Sequence, residues 1–186
     1  MLHMNETKLA NIDMLNLVRN TAASLSEILP NDTATLDFYE PETGALVVQF
    51  LTPADGEIRP RIVRLPLDGS PAGAAFRTLQ PVLLERMQDS PFAREAVRHL
   101  TRLGMRSGCW VPLVHFGEAI GTMSVSSRRE AAFGPHEAET LMAFAVWIAR
   151  TFNDAMTLRQ VPDWRNMSKA EAQYPGVGSC SMVQLP

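Results

Sequence analysis

Cys109 stands in the stretch Gly104 to Ser127, GMRSGCWVPLVHFGEAIGTMSVSS. A thiol is the first place to look for covalent chemistry. A reactive one needs a cationic neighbour or a helix N-terminus to lower its pKa. Arg106 lies three residues away, and in an extended strand that spacing points the two side chains to opposite faces. Cys109 therefore reads as a buried, inert core thiol. Cys180, the other cysteine, lies in an irregular stretch. His3, His99, His115 and His136 are too scattered for a ligand cluster, and no Cys/His spacing resembles a zinc site. Glu137 and Glu139 fall near a helix start, where carboxylates suit the dipole without any acid–base role. No Ser-His-Asp set with an elbow motif is present. The residues form no complete catalytic constellation, so the chain is expected not to be an enzyme, and no metal is expected.

Binding chemistry has more to work with. Thr122, Ser124 and Ser126 alternate with Gly121, Met123 and Val125, which gives a strand one hydroxyl-bearing face and one apolar face. Ser70 to Gly73 opens a helix whose free N–H groups would suit an anionic group. Gly73 would allow either a close ligand approach or tight packing. Arg77, Arg94, Arg98, Arg102 and Arg106 cluster in sequence around these elements. Arg106, at the start of a strand, is the one expected to reach a ligand.

The elements that must position these residues follow from periodicity and turn chemistry. Asn5 to Leu29 is helical, with Leu9, Ile12, Leu15, Val18, Ala22, Leu25 and Leu29 on one stripe. Met14, Leu17, Thr21, Ser24 and Ile28 form a second stripe. It is either part of one broad buried face or the seam for a partner helix. Strands are expected at Thr33 to Tyr39, Ala45 to Leu51 and Ile58 to Leu65, joined by turns at Pro41 to Gly44 and Pro53 to Gly56. Ser70-Pro71 caps a short helix to about Arg77. Gln80 to Glu85 is a brief strand whose Pro81 puts it at an edge or a strand start. Phe92 to Leu100 is another short helix. The stretch containing Cys109 is a hairpin of two long strands. A two-residue Phe116-Gly117 turn would put Cys109 on the face of Thr122 and Ser124, whereas a three-residue loop would put Trp110 there. A last helix starts at Gly134-Pro135, with a ladder of Leu141, Phe144, Ala145, Ile148, Phe152 and Ala155. Residues 1–160 form one domain in this reading, and residues 161–186 an irregular tail or linker.

Composition bounds the remaining classes. The 186 residues are 46% hydrophobic and 20% charged, as in an ordinary globular protein. A net charge of -3 argues against direct nucleic-acid binding. No run is long and apolar enough to suggest a membrane span, and MLHMNETK does not resemble a signal peptide. A cytoplasmic location is expected. The element order packs into an α/β sandwich (α+β): a central antiparallel sheet of about five to six strands, with terminal helices on one face and short helices and loops on the other.

From about Leu9 to Met156 this order resembles a GAF domain, the small-molecule sensor module of signalling proteins. The resemblance rests on LPLDGSPAG (65–73), QPV (80–82), LGMRS (103–107), VPL (111–113), Ile120-Gly121 and FGPHE (133–137). It is closest to the GAF domains of bacterial enhancer-binding transcriptional activators and sensor kinases, although no ATPase or kinase motif is present. The resemblance implies a GAF/PAS-like fold with the ligand beneath the short helices. The ligand-binding candidates it groups are Ser70, Gly73, Arg106, Cys109, Thr122 and Ser124. The ligand would be an unidentified small molecule. A covalent bilin is not expected, because Trp110 rather than His follows Cys109. The resemblance also implies pairing through terminal helices, with Met14, Leu17, Ile28, Phe144 and Trp147 at the seam of a homodimer. The expected function is a small-molecule-binding sensory domain in signal transduction or transcription regulation. The alternatives are a GAF-fold free methionine sulfoxide reductase and a dimerisation module that senses nothing.

Overall fold

The computed structural model describes residue 20, residues 23–50 and residues 63–157. A helix (α1, residues 23–28) leads into β1 (Thr33–Glu40), β2 (Ala45–Phe50) and β3 (Val63–Pro66). Then come α2 (Pro71–Thr78), β4 (Val82–Leu84), a 3-10 turn (Met87–Asp89) and α3 (Arg94–Arg102). The hairpin of β5 (Ser107–His115) and β6 (Glu118–Ser127) precedes α4 (Pro135–Thr157). The six strands form one antiparallel sheet in the order β3-β2-β1-β6-β5-β4. Among the described residues, no helix is long and apolar enough to cross a membrane. The tail expected over 161–186 lies outside the described residues, as do Met14, Leu17 and Cys180.

Strand parity sorts the sheet's side chains into two cores. On one face Ala34, Leu36, Phe38, Cys109, Val111, Leu113, Met123 and Val125 meet Leu25 and Leu29 of the α1 segment and Leu141, Ala145 and Ile148 of α4. Each strand contributes every second residue, because successive side chains point to opposite faces. On the other face Leu46, Leu84 and Trp110 pack under Ala72 and Ala75 of α2 and Val97 and Leu100 of α3. This is the α+β sandwich expected from the sequence, with the α1 segment and α4 on one side and the short helices α2 and α3 on the other.

Local chemistry sets most element ends. Ser70 caps α2: its hydroxyl accepts the Gly73 N–H at 3.0 Å and donates to the Pro66 carbonyl at 2.8 Å. Leu79 closes the same helix in the left-handed region at φ 56°, its N–H bonding the Ala75 carbonyl. The next helix begins at Arg94, two residues later than Ser90-Pro91 implied. The Ser90 hydroxyl instead accepts the Phe92 N–H at 3.2 Å, making a local turn before the helix starts. Short β4 is an edge strand, as Pro81 indicated. It covers only Gly108 to Trp110, so Pro112 lies past its end, where β5 needs no N–H on that side.

Candidate functional site

The face beneath α2 carries a buried polar stripe in an otherwise apolar layer. The register sets Thr33 opposite Ser126, Thr35 opposite Ser124 and Asp37 opposite Thr122, so all six side chains share that face. All six are buried. The Thr35 and Ser124 hydroxyls bond each other at 2.8 Å, and Thr122 Oγ1 donates to Asp37 Oδ2 at 2.8 Å. Two acceptors are left over: Asp37 Oδ1 and Ser126 Oγ are buried without a hydrogen-bond partner. Burial pushes the Asp37 carboxyl up to about 7, with the Thr122 and Thr35 hydroxyls pulling the other way. Leaving a buried acceptor unmade costs about 1–3 kcal/mol, so a stripe with two of them is not what packing alone would select.

Thr122 and Ser124 thus lie on the face beneath the short helices, within a buried polar stripe. Asp37 was missed. Its signal was available: in TLDFY (35–39) it shares strand parity with Thr35 and stands between apolar neighbours. A lone acid in a strand also reads as a solvent-facing residue, and only the pairing of β1 between β2 and β6 buries it.

Cys109 does not join this site. The turn has two residues, Phe116 at φ 48° and Gly117 at φ 84°, which by itself would bring Cys109 opposite Ser124. The register then shifts by one between Leu113 and Val114, with Ile120 as the extra residue of β6. The bulge sets Trp110 opposite Ser124 and Cys109 opposite Val125. The Cys109 thiol is wholly buried against the terminal helices. Burial, helped by the Glu137 carboxylate, pushes its pKa up to about 12. Trp110 folds across Gly108, where an added Cβ would come within 2.5 Å of the ring.

Three other expected ligand contacts are engaged elsewhere. Ser70 and its target, the Gly73 N–H, satisfy each other. Gly73 serves packing: a Cβ there would overlap the Leu67 carbonyl. Arg106 is exposed and pairs with Glu130 at 3.5 Å, away from the buried stripe. Arg77 and Arg98 likewise pair with Asp68 and Glu95 at the surface.

A concavity of about 550 Å³ lies away from this stripe, where the α1 segment, the loop leading to β1, the end of β6 and the start of α4 meet. Its carboxylates are occupied. Asp32 Oδ2 accepts from Ser127 Oγ at 2.9 Å and the Arg128 N–H at 2.8 Å, and Glu137 Oε2 accepts the Gly134 N–H at 2.8 Å. No cluster that could hold a metal occurs among the described residues.

On the opposite surface the proposed seam residues divide. Leu25 and Leu29, of the first stripe, are buried, whereas Ile28, of the second, is 56% exposed. On α4, Trp147 is 52% exposed and touches half-buried Phe144, their ring centroids 5.6 Å apart.

Comparison with known proteins fits this geometry. A family model described as GAF domain matches residues 13–152. No curated protein matches. Among solved structures, the GAF domain of a phosphoenolpyruvate-protein phosphotransferase from Coxiella burnetii aligns with TM-score 0.63 at 19% identity, covering 85% of this chain and 98% of that one. The PixJ GAF domain from Thermosynechococcus elongatus aligns with TM-score 0.65 at 14% identity, covering 89% and 96%. A free methionine-R-sulfoxide reductase from Neisseria meningitidis aligns with TM-score 0.61 at 21% identity, covering 76% and 78%. At these identities the likeness is one of fold.

Proposed function

The chain belongs to the GAF family, and from that premise we propose that it is a sensory domain that binds a small molecule against the α2-covered face of its sheet. It reports occupancy through its terminal helices, in signal transduction or transcription regulation in the cytoplasm. One observation carries the reading: Asp37 Oδ1 and Ser126 Oγ are buried acceptors with no partner, side by side with a paired hydroxyl stripe. A ligand that completes those bonds would favour one arrangement of α2 and its neighbours and shift that population.

The test is native mass spectrometry of freshly purified protein. The expected result is a non-covalent small-molecule adduct in wild type that is absent from Ser124→Leu, with the far-ultraviolet circular dichroism unchanged. An adduct retained equally by both proteins would put the ligand elsewhere. No adduct in either, together with a stable dimer, would favour a module that only dimerises. The reductase reading would require Cys109 as a thiolate, and burial opposes that form.

The same proposal includes a homodimer. Ile28 and Trp147 are exposed on the helical side, Trp147 beside Phe144, and a two-fold pair that buries them would use the same residues on both copies.

A further inference from the structure

Resting on the ligand-face reading above, we propose that Asp37 is the recognition group of that face, and that the ligand presents a cationic nitrogen (an ammonium, amidinium or guanidinium) to its free Oδ1. The geometry singles out one atom. Asp37 is 1% exposed on a central strand, so its carboxylate cannot bend out to water. Oδ2 is held by Thr122 at 2.8 Å, and the Thr35 hydroxyl, though near the carboxyl, makes its hydrogen bond with Ser124 at 2.8 Å, which leaves Oδ1 as the unmet acceptor.

The surroundings argue for a cation rather than an anion. From β1 itself Asp37 is flanked on its face by Thr35 and Tyr39, and from β6 it meets Thr122. Its partner on β2 is Val48. The buried side of α2 offers Ala72 and Ala75. The basic residues of the neighbouring elements are already paired: Arg64 of β3 with Glu40 at 3.0 Å, and Arg77 of α2 with Asp68. No described basic side chain neutralises Asp37, so an ionised carboxylate there lacks a counter-charge until a ligand brings one. A cationic N–H donor would make a charge-assisted bond to Oδ1, roughly twice as strong as a neutral one. A carboxylate or phosphate would meet like charge and no basic partner. The anionic ligand suggested by Ser70, Gly73 and Arg106 is thereby replaced, since all three are engaged elsewhere.

The experiment uses three isosteric probes, acetamidine, acetamide and acetate, titrated at neutral pH into the full chain. Carbon-detected NMR reads the Asp37 carboxyl resonance. Acetamidine should shift that resonance and bind at least tenfold more tightly than acetamide, and acetate should not bind. Asp37→Asn should bring acetamidine and acetamide within twofold of each other. Acetate binding as well as acetamidine, a cation preference surviving in Asp37→Asn, or no probe moving the Asp37 resonance would each overturn the proposal. If Asp37→Asn binds all three probes like wild type while Ser124→Leu abolishes binding, the ligand face stands and the role of Asp37 falls. If Ser124→Leu also binds normally, the ligand face falls with it.

Discussion

Asp37 sets a pH signature that needs no ligand. Its folded pKa of about 7 lies above the ordinary value of 3.8. Between those values the folded chain keeps a proton that the unfolded chain has released, so stability must fall as pH rises across that window. The stabilisation is complete below about pH 4, is lost through about pH 7, and changes no further above it. The gap corresponds to roughly 4 kcal/mol at 1.36 kcal/mol per pH unit. Denaturant unfolding of wild type between pH 4 and 8 should show that slope, and Asp37→Asn should flatten it. A wild-type curve as flat as the variant's would mean that Asp37 is ionised and satisfied in the folded protein. Asp32 works in the other direction. Its pKa is lowered, first by the Arg128 N–H, so it weakens the fold only as pH falls through the acid range. The two residues are told apart by the pH at which each acts. Cys109 shows why residue type alone misleads: the same thiol is reactive or inert according to what surrounds it, and here it is sealed in the core.

At the scale of the element, α2 is held over the polar stripe by contacts that look like ligand-binding features in the sequence. Ser70 ties the helix start to the Pro66 carbonyl, and Gly73 lets the helix backbone approach Leu67. Gly73→Ala should therefore overpack the joint and lower stability by about 1–3 kcal/mol, read as a lower denaturant midpoint with unchanged slope. If instead Gly73→Ala is as stable as wild type and only loses ligand, Gly73 belongs to the site after all. The hairpin's turn and its bulge are separate devices, and the bulge overrides the turn. Ile120 adds one residue to β6, so every pair beyond it changes face, and Trp110 rather than Cys109 meets the hydroxyl stripe.

The whole molecule divides its two apolar layers unequally. The layer under α2 and α3 contains the polar stripe, while the layer under the α1 segment and α4 has an apolar centre with Glu40, Ser107 and Ser127 at its margins, and Ile28, Val146 and Trp147 are exposed on its helices. An exposed tryptophan beside Phe144 is the natural centre of a contact between copies. Trp147→Glu should give a folded monomer by sedimentation, with unchanged circular dichroism, if wild type is a dimer through this patch. A variant that stays dimeric would move the interface, and a wild type already monomeric at high concentration would remove it. Much of this architecture was legible in the chain: alternation set the faces of β6, the Ser70-Pro71 pair started α2, Pro81 sent β4 to an edge, and the ladder of Leu141, Ala145 and Ile148 aimed α4 at the core. These are local rules, and each acts within a few residues. The tertiary structure alone decided the rest. It buried Asp37, because burial depends on which strands flank β1. It turned Arg106 outward to Glu130 and tied Gly73 to Leu67, because those partners lie across loops that no periodicity reports. It chose Trp110 over Cys109 through one extra residue, because a strand's face is fixed by register along the whole pair and not by its turn.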